Sequence, residues 1–289
     1  MKKNIVLILL IFANVILINF SVKAQYKVHA DGNLFIIGGG NRSTELMENL
    51  IHTANLRNYD FIAILPMASA QPDSAFLNTK SEFNNLCDNQ VVNFGHFRTY
   101  DPMWLDSLGT AKLIYIPGGD QNRFMDSVKN TPVYDAIRRA FKNGSTIAGT
   151  SAGAAVMCKY MITGNELRGD STYRATFRQL LNQNIEFSQG LGLIDSVIID
   201  QHFIKRSRYN RLLSALNAHP DFECIGIDES TAVMIHQNVV KVLGDGQVVK
   251  ISNPVNLSVT DKGLIKFQDV QMSIFTDGDS FYLHPNGFN

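Results

Sequence analysis

Among the residues able to do chemistry, Ser151 has the most pointed setting. It is the centre of Gly149-Thr150-Ser151-Ala152-Gly153, between the apolar stretch 146–148 and the small-residue run 154–157. Read as strand, sharp turn and helix, this is a nucleophile elbow of the G-x-S-x-G type. The turn is too tight for Cβ atoms on its flanks, so the glycines leave the serine in a strained conformation with its hydroxyl pushed outward. The helix behind it points free N–H groups and a positive dipole end at the same spot. Such a serine is set to attack a carbonyl. The pattern is short, and a small-residue turn where a helix packs tightly on a strand would satisfy it as well.

A serine nucleophile needs a base, and the base an orienting group. His202 lies two residues past the strand 197–200, where sites in open α/β sheets gather. A histidine satisfied by a backbone carbonyl at the edge of the core is the bland alternative. Glu229 is placed similarly after the strand 224–227, and Asp228 competes with it. His219, His236 and His284 are lower-ranked bases. The loop Pro117-Gly118-Gly119-Asp120-Gln121 follows the strand 113–116, and the Gly119 and Ala152 amides could together hold an oxyanion. A type II turn without a ligand fits the Pro-Gly pair equally. Arg206, Arg208 and Arg211 follow His202 closely. Arg208 and Arg211 share a face if their segment is helical, and the cluster suits an anionic substrate or a solvated helix start. The order Ser151, His202, Glu229 differs from that of α/β-hydrolases, whose acid precedes a final histidine.

The elements that must position these groups alternate from residue 33 onward. Strands are predicted at 34–37, 61–65, 91–94, 113–116, 197–200 and 224–227. Helices are predicted at about 43–57 with Ser43 as cap, 73–86, 132–143 and 208–218. Alternation of this kind implies an α/β fold with a mostly parallel sheet covered by helices on both faces. Gly38-Gly39-Gly40 lacks the spacing of a dinucleotide fingerprint and reads as a tight strand-to-helix turn. The stretches 239–243 and 248–251 flank Gly244-Asp245-Gly246-Gln247 and read as a β-hairpin. They open an antiparallel C-terminal β extension over about 239–289, with another turn at 276–279.

With 289 residues, 45% of them hydrophobic, the chain can bury a full core, and its 26 basic and 26 acidic residues cancel. Binding of nucleic acid or a membrane surface by bulk charge is not expected. Residues 1–24 have a basic start, an apolar core and Val22-Lys23-Ala24 before Gln25, the form of a cleavable signal peptide. The expectation is therefore a secreted or periplasmic protein, free of the membrane after cleavage, with one domain over 25–289. Cys87, Cys158 and Cys224 suit buried free thiols better than a disulfide framework. No Cys/His spacing resembles a metal site, and no cofactor is expected. A homodimer is compatible with the sequence.

Four motifs in order, Pro-Gly-Gly-Asp-Gln at 117–121, Gly-Thr-Ser-Ala-Gly-Ala at 149–154, Asp-Gln-His-Phe at 200–203 with the three arginines, and Gly-Ile-Asp-Glu-Ser-Thr-Ala at 226–232, resemble the cyanophycinase family of serine peptidases. These are relatives of the Asp-specific dipeptidase E, with a fold similar to class I glutamine amidotransferases. The resemblance implies Ser151 as nucleophile, His202 as base and Glu229 as orienting acid. It also implies that Gln121, Asp200, Gln201, Arg206, Arg208 and Arg211 line the substrate site. The implied substrate is a peptide or polymer of β-Asp-Arg units. An Asp-X or isoaspartyl dipeptidase and an inactive binding protein are the rivals.

Overall fold

The computed structural model describes residues 32–95, 101–168 and 177–283. Residues 1–24, for which a cleavable signal peptide is expected, and residues 284–289, with His284, lie outside the described residues. The first half alternates as its sequence pattern dictates: β1 (Asn33–Ile37), α1 (Thr44–Ala54), β2 (Phe61–Ile64), α2 (Pro72–Asn84), β3 (Gln90–Asn93), α3 (Pro102–Thr110), β4 (Leu113–Ile116), α4 (Gln121–Val128), α5 (Pro132–Lys142), β5 (Thr146–Thr150) and α6 (Ala152–Ala155). The second half is mostly strands: β6 (Tyr160–Glu166), β7 (Ile185–Gln189), β8 (Val197–Gln201), α7 (Tyr209–Ala218), β9 (Glu223–Ile227), β10 (Thr231–His236), β11 (Val239–Gly244), β12 (Val248–Val255), β13 (Ser258–Val259), β14 (Ile265–Lys266), β15 (Asp269–Phe275) and β16 (Ser280–Tyr282).

The main sheet has the strand order β16-β11-β10-β1-β5-β4-β2-β3. Its five strands from β1 to β3 in that order run parallel, while β10, β11 and β16 extend it antiparallel. Period-2 alternation buries both faces. Leu34 and Ile36 face a layer that includes side chains of α3, α4 and α5, and Phe35 and Ile37 face α1 and α2. Local signals start the helices: Ser43 Oγ accepts the Leu46 N–H at 3.1 Å to cap α1, and Asp120 caps α4 through the Asn122 and Arg123 amides.

A second sheet, ordered β15-β12-β9-β8, lies outside the main one. Its strands β8 and β9 are parallel, and β12 and β15 are added antiparallel. Ile199, Ile225 and Ile227 pack into the main core, while Ile198, Cys224, Val249 and Ile251 pack with Leu212, Ala215 and Leu216 of α7. The expected hairpin over 239–251 is corrected here. β11 pairs with β10 and β16, β12 pairs with β9 and β15, and residues 244–247 cross between sheets. The strand pattern was right, but a period-2 pattern does not say which partner a strand finds. All three cysteines are free, and Cys87 is only half-buried.

The elbow is tighter than its pattern alone suggested, because α6 is one turn long. A Cβ on Gly149 would sit 2.5 Å from the Gly153 carbonyl oxygen, and one on Gly153 would sit 2.0 Å from that of Ile116. Both obstacles are backbone and cannot swing aside. Gly153→Ala is expected to cost at least ~1–3 kcal/mol, the usual range for overpacking, read as a lower denaturant midpoint.

Candidate active site

Three strand ends meet at the site, and each is followed by a residue at positive φ. Ser151 follows β5 with φ 53° and ψ −106°. His202 follows β8 with φ 49°, and Ser230, next to Glu229 after β9, has φ 56°. Positive φ is uncommon outside glycine and persists where the surroundings over-determine it. Those surroundings are the end of β1. The carbonyls of Ile37, Gly38 and Gly39 accept in turn the N–H of Ser151 at 3.0 Å, of His202 at 2.7 Å and of Ser230 at 2.9 Å.

Only glycine fits this contact. A Cβ on Gly38 would meet the Asp228 carbonyl oxygen at 2.1 Å, and one on Gly40 would meet Glu229 Cβ at 2.7 Å. Gly39 has φ 113°, and its Cβ would lie 2.3 Å from the His202 ring. The turn at 38–40 is thus the floor of the site, a role its glycines did not announce. Gly246 supports the same region from the other side: its N–H donates to Thr231 Oγ1 at 2.8 Å.

On this floor Ser151 Oγ lies 2.8 Å from His202 Nε2, and His202 Nδ1 lies 2.7 Å from Glu229 Oε1. An ionised carboxylate only accepts, so Nδ1 carries the proton and Nε2 is left to accept from the serine hydroxyl. The His202 side chain is 10% exposed and that of Glu229 30%. Burial holds the imidazole below its ordinary value of 6.5; Arg206 and Arg208 push the same way and the bond to Glu229 opposes them. The ring is therefore the neutral, proton-accepting form at neutral pH.

Gly119 and Ala152 are placed differently. Gly119 has φ 147°, and its missing Cβ leaves room for the Ala68 carbonyl, which accepts the Asp120 N–H at 2.9 Å. A Cβ on neighbouring Gly118 would be 3.5 Å from Ser151 Cβ. Ala152 opens α6, where a first-turn amide has no intrahelical acceptor.

The remaining candidates divide. Arg206 is exposed. Gln121 Nε2 donates to the Ile162 and Thr163 carbonyls at 3.1 and 2.8 Å, tying α4 to β6. Asp200, Gln201, Arg208 and Arg211 form a buried network, so Arg208 and Arg211 are not the surface charges of a solvated helix start. Asp200 takes Arg211 Nε at 2.7 Å and Arg208 Nη1 at 3.3 Å. Asp228 accepts the Lys205 N–H at 2.9 Å. His219 packs with Tyr160, Phe187 and Phe222, and His236 is exposed on β10.

A serine hydroxyl, an imidazole and a carboxylate in line, on an α/β fold, have the geometry that covalent acyl transfer requires. The chain belongs to peptidase family S51, whose profile matches residues 34–243. A cyanophycinase from Geminocystis herdmanii is 32% identical over 269 residues, covering 88% of this chain and 95% of that protein. One from Trichormus variabilis is 39% identical over 186 residues, 62% of this chain and 59% of the relative. A peptidase structure from an acI-B1 Actinobacterium has the same fold, with a TM-score of 0.62 at 22% identity over 89% of this chain and 99% of its own. This chain is a peptidase.

Two outcomes follow. An imidazole acting as base must be neutral, so the reaction of Ser151 should fall with acid along a limb whose midpoint lies below 6.5. Arg206→Gln removes a charge that lowers it, and the midpoint should rise in a pH profile of kcat/KM. Gly39→Ala should displace the His202 ring and lower kcat by about 10²-fold or more, measured against a retained circular-dichroism spectrum.

Proposed function

We propose that this chain is a serine exopeptidase of cyanophycinase type, acting on aspartate-rich or β-Asp-Arg peptide material through a Ser-His-Glu acyl-enzyme mechanism. The observation that carries the reading is the unbroken run from Ser151 Oγ through His202 to Glu229, at 2.8 and 2.7 Å, in a member of a peptidase family. The 32% identical relative named cyanophycinase supports the substrate class.

Ser151 Oγ attacks the scissile carbonyl carbon while its proton passes to His202 Nε2. Glu229 steadies the resulting imidazolium, and the Gly119 and Ala152 amides hold the oxyanion. Collapse breaks the C–N bond, and the imidazolium gives its proton to the leaving amine. Water then attacks the acyl ester with His202 again taking a proton, which frees the new carboxyl group and restores the serine. Arg206, exposed after His202, is available to the carboxylate of a bound aspartyl unit. Export through residues 1–24 belongs to the same reading, and cell fractionation should recover a mature chain starting near Gln25.

A second reading, an Asp-X dipeptidase with the same machinery, is favoured by the 25% identity to a peptidase E from Nostoc over 143 residues, 47% of this chain and 53% of that one. Purified β-Asp-Arg polymer and a panel of Asp-X dipeptides separate the two. The polymer should be degraded to dipeptides, and Ser151→Ala should lower kcat by roughly 10⁴–10⁶-fold. Turnover of Asp-X dipeptides alone would select the second reading. Retained turnover in Ser151→Ala would overturn both.

A further inference from the structure

The peptide unit that joins Gln201 to His202 is held at both ends. Its N–H, that of His202, donates to the Gly38 carbonyl at 2.7 Å. Its carbonyl, that of Gln201, accepts from Arg208 Nη1 at 2.6 Å. A peptide is planar, so fixing both polar ends fixes the plane and the direction in which the following residue departs. That residue is His202, at φ 49°, with its ring between Ser151 and Glu229.

Arg208 is itself immobilised. Its side chain is 1% exposed, and Nη1 also meets Asp200 Oδ1 at 3.3 Å and Gln201 Oε1. Its own N–H donates to the Phe203 carbonyl at 3.0 Å. Arg211, 2% exposed, grips both Asp200 oxygens and reaches Gln201 Oε1 at 3.1 Å. The Gln201 N–H closes the ring on Asp200 Oδ1 at 2.8 Å. The planar guanidinium provides donors in a fixed fork, and here that of Arg208 meets the Gln201 carbonyl together with the Asp200 and Gln201 side chains.

We infer that Arg208 is a positioning residue, whose guanidinium clamps the Gln201 carbonyl and so aims the His202 imidazole at Ser151. Asp200 and Arg211 hold the clamp in place. The inference rests on the Ser151–His202–Glu229 reading, though not on any particular substrate.

A small neutral probe separates positioning from substrate binding, because it has no carboxylate for an arginine to hold. The second-order rate of Ser151 labelling by diisopropyl fluorophosphate is to be measured in the wild type, Arg208→Met and Arg208→Lys, with melting temperatures alongside. Arg208→Met keeps the bulk and removes the donors, and Asp200 retains Arg211. It should label at least ~10-fold more slowly, since ångström-scale misplacement costs up to ~10²-fold. Arg208→Lys keeps a donor and should recover part of that loss. A folded Arg208→Met protein that labels at the wild-type rate would overturn the inference, more plainly still if its KM for peptide rose. If Arg208→Met does not fold, Arg208→Lys decides. A rate below wild type with KM within about threefold supports the clamp, and an unchanged rate rejects it. A wild type that resists the probe would instead reject the triad reading itself.

Discussion

Three successive carbonyls at the end of one strand carry the whole arrangement. Ile37, Gly38 and Gly39 each accept the amide of a different loop, and those loops bear the serine, the histidine and the glutamate. The loops come from two sheets and are separated by long stretches of chain, so nothing local holds them in register. Backbone contact at hydrogen-bonding distance does so, and it demands that no side chain intervene. The glycines at 38–40 are therefore a consequence of distance. The three residues whose amides they accept, Ser151, His202 and Ser230, all sit at positive φ, which the surrounding bonds must offset.

Beneath the histidine the structure places charge where apolar packing would ordinarily be safer. Asp200, Arg208 and Arg211 are almost entirely buried, and removing ions from water carries a penalty that mutual attraction does not always repay. Lys250 and Glu223, bonded at 2.7 Å, form a second such pair between β12 and β9. Apolar side chains could fill these volumes but could not orient a peptide carbonyl. Direction, more than stability, accounts for polar groups at the end of β8.

Much of this was legible in the residues. The parallel strands announced themselves because they are apolar and bounded by glycine or proline, as at 113–116 before Pro117. Ser43 and Gly144 marked helix ends correctly. The serine elbow, His202 and Glu229 stood at strand ends, a local property. What escaped was mostly relational. Helix α3 carries Gly109 and α4 begins inside the Pro-Gly-Gly-Asp-Gln loop, which hid them both. Strand β6 mixes polar and apolar residues without clean alternation, and β7 alternates over only four residues, Ile185 to Ser188. The assignment of β8 and β9 to a separate sheet depends on partners far along the chain. Burial of Arg208 and Arg211 was invisible too, since a guanidinium sequence pattern reads the same on a surface as around a carboxylate.

The family profile ends at residue 243, as β11 runs out. The turn just beyond it holds up the glutamate: the Asp228 N–H donates to the Gln247 carbonyl at 3.1 Å and the Asp245 N–H to that of Ser230 at 2.9 Å. β12 then takes an interior place between β9 and β15. The end of the family profile and the folding boundary thus do not coincide. A tail grafted from a relative at that breakpoint would replace part of the acid's scaffold, and recombination there is tolerable only when the incoming segment brings an equivalent turn.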